Sequence, residues 1–575
     1  MFDFVIKGGI LADGTGKARY QADIGIQNDR IVRIGKIDQA ENLIDAADKL
    51  ITPGFIDPHS HADCSVFLYP DCESYQRQGI TTFVGGQCGD SNAPIFHWWA
   101  RKYWEYDFWS EIDPFIYDPR LIQPADKVLE VVERKTGYRI QWKTFSQYAR
   151  VIENAGLGCN MITLAGHSQI RADVMGLNQD RAPSPVEMDS MKEHIWEAFN
   201  AGAWGISTGR DYPPSAYADD VEIRELARFV KDLGGYYFTH WRRTGIRIGT
   251  PTRPDRLAGI REALEVALHE EIKTQISHLA AGFEIYPENP EMDAYAAKIT
   301  LRMIDDYIQR GADVAFDVIP GRSGGICINP HLISLFAPWV REAGSIARFI
   351  ANLGAKDYCE RLYSIIKNGE WYAINPKNNP SWDCQITVIK SEKSRYIGAS
   401  LWDIALDDGG DSIKTALRLL REDPLIYIRR DGKSDEEVYE LLRHPRANVC
   451  TDTYAFDLRG LYGNEGEYPE ILPHPHTYCA FPKSILEYPL DTIEATIRRV
   501  TGAPAEFLGI CDRGILRENA FADIVILNMD ELATKESYLE PRVYPHGVEY
   551  VFINGVPVVT PKGCSGKRPG RLLRK

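Results

Sequence analysis

Apolar and polar positions alternate at the start of the chain. In FDFVIKGG, Phe2, Phe4 and Ile6 share one face, and ADIGIQNDRIVRIG reads as two short strands around a polar turn. The far end repeats the pattern in FADIVILN (521–528) and VEYVFINGVPVV (548–559), the latter with Asn554-Gly555 at a hairpin turn. Two strand-rich ends around a long middle predict one small β domain, a sandwich assembled from both termini.

The middle has a different rhythm. Apolar runs that end in polar or glycine-rich corners fall at 51–57, 80–85, 160–165, 203–207, 235–239, 272–277, 312–319 and 447–451. Between several of them lie amphipathic helices. EIRELARFV carries Ile223, Leu226, Ala227 and Val230 on one stripe, and REALEVALHE carries Ala263, Leu264, Ala267 and Leu268. Strand and helix in alternation predict an α/β fold, a (β/α)8 TIM-like barrel whose active site forms where the strands end. The expected division is 1–52 and 501–575 for the small β domain and its basic tail, and 53–500 for the barrel, with long insertions at 96–140 and 320–446. The first insertion opens with ten aromatics in residues 96–117, which suits either a surface excursion or a wall over the substrate. The second is too long for plain loop and is expected to hold helices and part of a lid. The tail GKRPGRLLRK reads as a solvated or subunit-docking end, so a homo-oligomer is open.

Composition narrows the class. Lys+Arg number 66 against Asp+Glu 81, a formal charge of −15 that argues against broad nucleic-acid or anionic-membrane binding. No apolar run reaches the length of a membrane span, and the opening MFDFVIKGGILADG lacks the basic and apolar regions of a secretory leader. Eleven scattered cysteines without a CxxC pair read as reduced thiols, so the expected location is the cytoplasm.

Histidines supply the chemistry. In GFIDPHSHAD, His59 and His61 are two apart, so on a strand both rings face the same way, into the barrel mouth. A His-x-His pair alone is a weak signal. Yet His240 closes GGYYFTH and His278 closes IKTQISH, which places four of the 13 histidines at predicted strand ends. A satisfied core histidine explains any one of them more comfortably than all four. The eighth strand ends in ANVCTDTYA and brings Asp452 to the same mouth. Alone that aspartate would read as a turn residue; beside a histidine cage it reads as a general base.

This pattern resembles the amidohydrolase superfamily: HxH on the first strand, His on the fifth and sixth, Asp on the eighth. Within it the chain resembles the N-acyl-D-amino-acid deacylase (D-aminoacylase) family over nearly its whole length. The likeness is carried by WKTFSQYARVIENAGLGCNMITLAGHSQIR, GISTGRDYPPSAYADDVEIRELA, LFAPWVREAG, SRYIGASLWDIA and HPHTYCAFP. Many superfamily members bridge two metals with a carboxylated lysine ending the fourth strand, but this chain reads GISTGRDYPP there. The D-aminoacylases instead place a cysteine in a G-x-C-G corner after the second strand, which Cys88 in GGQCG fills. Cys88, His240 and His278 then form a zinc-like set of three ligands.

The resemblance implies hydrolysis of the amide of an N-acylated (D-)amino acid by metal-bound hydroxide, with Asp452 as base and then acid. One tightly bound Zn²⁺ is implied. His59 and His61 either hold a second, weaker metal with Cys88 bridging, or polarise the carbonyl. A substrate carboxylate needs a cation, for which Arg210, Arg242, Arg243 and Arg322 are candidates; Tyr212 matches the family's YPP tyrosine, and His167 is expected near the site. The departures lie at the pocket: THWRRTG lacks the family's glutamate after the fifth-strand histidine, and DVIPGRSGG lacks its aromatics after the seventh strand. A rival is a cyclic-amide hydrolase like hydantoinases or dihydroorotases, against which the missing lysine and Cys88 weigh. A non-catalytic barrel scaffold is the third reading; it would be expected to have lost some of these ligands.

Overall fold

The computed structural model describes residues 2–38, 42–100, 122–211, 213–243, 256–283, 285, 289–324, 327–328, 331–369, 376, 380–458 and 472–575. The fold is α/β. Eight parallel strands run through its middle: β1 Phe55–Asp57, β2 Ile80–Gly85, β3 Asn160–Thr163 resumed at Ala165–Gly166, β4 Gly205–Gly209, β5 Tyr236–His240, β6 Thr274–Ile276, β7 Val314–Val318 and β8 Ala447–Val449. They pair in chain order, β1 to β2 to the first part of β3, and the second part of β3 through to β8. Beyond the strand ends, Asp452 N–H donates to the His59 carbonyl (3.1 Å) and His61 N–H to the Thr453 carbonyl (2.9 Å). Thr451 Oγ1 donates to Asp57 Oδ2 at 2.6 Å, which ties the end of β8 to the end of β1.

Each apolar run expected in the middle forms a strand, with one correction. The 51–57 run is two elements: Leu50–Pro53 pairs with Ile10–Leu11 and, antiparallel, with Ile524–Leu527, so it lies in the terminal sheet. Only Phe55–Asp57 joins the parallel set. Gly54 marks the break, where an added Cβ would stand 2.1 Å from Thr81 Oγ1.

The termini build a single nine-stranded mixed sheet. Its C-terminal hairpin turns at Asn554 (φ +48°) and Gly555 (φ +77°), the paired left-handed residues of a tight turn that matches strand twist. The tail's basic side chains are largely exposed, as a solvated end would be, but its backbone is tied to β3. Met161 N–H donates to the Arg571 carbonyl (2.9 Å) and Leu573 N–H to the Met161 carbonyl (2.7 Å). Arg574 grips Glu153 and Arg568 grips Asp71.

Helices cover the strands. Asp220–Asp232 starts at Asp219, whose side chain accepts from Glu222 N–H, and buries Ile223, Leu226, Ala227 and Val230, the stripe its sequence shows. Arg256–His269 likewise buries Ala263, Leu264 and Ala267. The long connection after β7 contains helices, among them Lys356–Lys367, Ser412–Glu422 and Asp435–Leu442, and an antiparallel pair, Ile386–Lys390 with Tyr427–Arg430. Phe336, Trp339, Phe349, Leu362, Ile366, Leu420 and Ile428 give it an apolar core of its own. Of the aromatic excursion, Trp98–Ala100 pairs with Ile122–Pro124 and Trp99 is buried; residues 101–117 lie outside the described residues.

Candidate metal centre

The C-terminal ends of the parallel strands deliver six chemically active side chains to one place. Cys88 Sγ lies 3.4 Å from His59 Nε2, 3.5 Å from His240 Nδ1 and 3.6 Å from His278 Nε2. Asp452 Oδ1 is 3.3 Å from both His59 Nε2 and His61 Nε2. The donors fall into two groups that share the sulfur: His59, His61, Cys88 and Asp452, and Cys88, His240 and His278, with donor atoms in each within 4.8 Å of one another. All six residues are buried.

Backbone conformation aims them. Cys88 (φ +57°), His278 (φ +36°) and Asp452 (φ +51°) all take left-handed conformations just past their strands. Such conformations carry strain of about 1–3 kcal/mol each for a side chain other than glycine, and persist where surrounding contacts hold them. Here those contacts are visible. The His278 N–H donates to Asp317 Oδ1 at 2.6 Å, and the Asp452 N–H donates to the His59 carbonyl. The Cys88 corner is hemmed in by glycines: a Cβ on Gly86 would meet the Leu164 carbonyl at 2.4 Å, and one on Gly89 would meet Ser168 Oγ at 2.4 Å.

Electrostatics match the donors in pairs. Burial alone would push the Cys88 thiol up, but the charge of His59 and hydrogen bonds from His240 and His278 hold it well below its ordinary value. Burial would lower His59, yet Asp317 and Cys88 keep it well above the imidazole range. Asp452, desolvated too, is held well below the carboxylate range by His278, His59 and His61. Burial, with His240 and Arg243 adding to it, brings His278 down to about 4. One thiolate and several imidazoles on rigid strand ends are a donor set that suits a zinc-like ion.

The remaining sequence candidates turn to other partners. Both nitrogens of His167 are engaged: Nδ1 with Ser215 Oγ (2.7 Å) and Nε2 with Glu222 Oε1 (2.9 Å). Arg171 Nε donates to the same Glu222 oxygen at 2.8 Å. Arg242 donates to Glu262 (3.3 Å) and the Ala216 carbonyl (3.3 Å), and Arg210 also binds Glu262. Arg322 faces Asp431 at 3.5 Å and Asp435 at 3.8 Å. Tyr212 lies outside the described residues. Of the arginine candidates, Arg243 is the one set against a donor, its Nη2 2.9 Å from His240 Nε2.

Other groups at this end escaped the sequence reading. Lys433 Nζ donates to the Ile319 carbonyl at 3.1 Å, just past β7, and His474 Nε2 lies 2.9 Å from Ser323 Oγ. The His476 ring stands 4.2 Å from that of His474. All three feel the charge of Asp452. Both histidines lie in HPHTYCAFP, so the stretch was visible, but nothing local tied it to the mouth.

With this geometry in hand, likeness to known proteins gains meaning. Residues 42–290 match the model of the Amidohydrolase family. Over its full length it is similar to N-acyl-D-amino-acid deacylases. It is 27% identical to an N-acyl-D-glutamate deacylase of Alcaligenes xylosoxydans xylosoxydans over 581 residues, covering 100% of this chain and 96% of the relative. A D-aminoacylase of the same organism is 25% identical over 580 residues, with 100% and 98% covered. The solved N-acyl-D-glutamate deacylase of Bordetella bronchiseptica, complexed with zinc and a phosphonate inhibitor that mimics the tetrahedral intermediate, aligns over 100% of both chains at 26% identity and a TM-score of 0.69.

Proposed function

We propose that the protein is a zinc-dependent amidohydrolase that cleaves the amide bond of an N-acylated (D-)amino acid or a related amide. The observation that carries this reading is Cys88 Sγ among His59, His240 and His278 at 3.4–3.6 Å, in a chain similar from end to end to N-acyl-D-amino-acid deacylases. In this reading the eight strands form a closed (β/α)8 barrel over 53–500, carrying a small β-sandwich domain from 1–52 and 501–575. The hydrogen bonds between the ends of β8 and β1 support the closure.

Cys88, His240 and His278 would hold a tightly bound Zn²⁺, and His59 and His61, with Cys88 shared, a second and weaker one. A bound zinc supplies Lewis-acid polarisation and brings the pKa of water down toward about 7. The chain's own residues do the rest. The Asp452 carboxylate is ionised at neutral pH and reaches the space between His59 and His61. It takes a proton from the attacking water at Oδ1 and returns one to the leaving nitrogen. Arg243, beside His240, is placed to meet an anionic substrate. The partner is a small-molecule amide. Among the described residues no helix is long and apolar enough to cross a membrane.

The test is a panel of N-acyl-D-amino acids and cyclic amides offered to zinc-replete protein. Amine release from the acyclic members is expected. Asp452→Asn should lower turnover by about 10²–10⁴-fold while zinc stays bound. Ring opening of hydantoins with no acyclic turnover would overturn the reading.

A further inference from the structure

The imidazole of His59 uses only one nitrogen toward the cluster. Its Nε2 faces Cys88 and Asp452, while its Nδ1 points away from both, 3.2 Å from Asp317 Oδ1. Asp317 sits inside β7, an acid in the apolar run VAFDV, and is wholly buried. A buried carboxylate is costly unless it is satisfied, and this one is. Oδ1 accepts from the His278 backbone N–H at 2.6 Å, and Oδ2 accepts from Gln275 Nε2 at 2.8 Å. One side chain therefore touches two proposed ligands, the ring of His59 and the left-handed backbone of His278.

We propose that Asp317 is a positioning residue of the metal centre, which fixes the ring plane and tautomer of His59 from behind. The inference rests on the proposed metal site and adds to it a residue that none of the six donors implies. In the neutral ring that a metal ligand requires, a carboxylate 3.2 Å from Nδ1 favours the tautomer with hydrogen on that nitrogen, leaving the Nε2 lone pair aimed at the cluster. Neutral His59 free to turn would present the right nitrogen only part of the time. The same carboxylate secures the His278 N–H, so the sixth-strand ligand keeps its strained backbone.

The test compares wild type with Asp317→Asn, and both with their counterparts carrying His59→Ala. Zinc affinity is read by competition with a chromophoric chelator in the absence of substrate, and ligand geometry by the visible spectrum of the cobalt-substituted protein. Asp317→Asn should weaken metal binding about 10–100-fold and alter the cobalt bands, and the loss should be smaller in the His59→Ala background. Unchanged affinity and spectrum, with only the melting temperature lowered, would overturn the proposal and leave Asp317 a packing residue. If Asp317→Asn does not fold, Asp317→Glu reads the same two quantities: weakened metal with folding retained supports the proposal, and unchanged metal overturns it. Wild-type protein that binds neither ion would sink the metal reading itself, a result distinct from a wild type that binds and a variant that does not differ.

Discussion

At the scale of single residues, charge pairing decides what is stable and what is reactive. Glu222 is the clearest structural case. Burial opposes its ionisation, but His167 and Arg171 bring it down to about 2. A carboxylate depressed in this way stabilises the fold above its ordinary value near 4.5, and that contribution is lost as pH falls toward 2. The stability gap between wild type and Glu222→Gln should therefore narrow across that window, measured by urea unfolding at stepped pH. At pH 7, Glu222→Ala would strand the buried Arg171 guanidinium and should cost about 3–5 kcal/mol. The sequence made much of the candidate metal centre legible at this scale. Polar residues that terminate apolar runs had to face the strand ends, which is why His59, His61, His240, His278 and Asp452 could be read. Cys88 needed the likeness to a family, because a lone cysteine in a glycine corner is chemically mute. Asp317 opens the quoted DVIPGRSGG, but inside an apolar run it was given no role. Arg242 and Arg322 were plausible until Glu262 and Asp431, which nothing local assigns to them, took up their guanidinium groups.

At the scale of elements, the corners after the strands matter more than the strands. Gly89 combines φ +81° with no room for a methyl group: a Cβ would lie 2.4 Å from Ser168 Oγ and 2.9 Å from Gly209 N. Gly89→Ala should therefore destabilise by more than about 1 kcal/mol and also displace Cys88. Calorimetry and zinc content should fall together; a variant with normal zinc would show that the corner tolerates movement. The apolar runs of the parallel strands were readable because they are buried on both faces and carry a continuous signal. The break itself had a signal in Pro53-Gly54, but nothing local says that Leu50–Pro53 and Phe55–Asp57 join different sheets. Which sheet a strand joins depends on residues far along the chain, here Ile524–Leu527.

At the scale of the whole molecule, the two ends of the chain are tied to the middle. Arg513, Asp523, Asn554 and Asn160 form a buried polar network between the terminal sheet and β3. The C-terminal tail extends it: Arg571 N–H donates to Asn160 Oδ1 at 3.1 Å, and Trp204 Nε1 donates to the Leu573 carbonyl at 2.9 Å. Removing residues 569–575 should strip at least two backbone hydrogen bonds from β3, about 1 kcal/mol each, and uncover the apolar cluster around Trp204 and Tyr236 that Leu573 packs against. A lower unfolding midpoint is expected. An unchanged midpoint would mean that the tail is an ornament of the fold.

One sulfur stands in both groups of donors, so the two potential ion positions are not independent. Oxidant chemistry gives this arrangement a single point of failure: converting Cys88 to a sulfenic acid would dismantle both positions in one event. A lowered thiol pKa invites that reaction, whereas 1% exposure stands against it, as a coordinated ion would. On the proposed metal reading, the protein's tolerance of peroxide should rise with how fully it is loaded with metal.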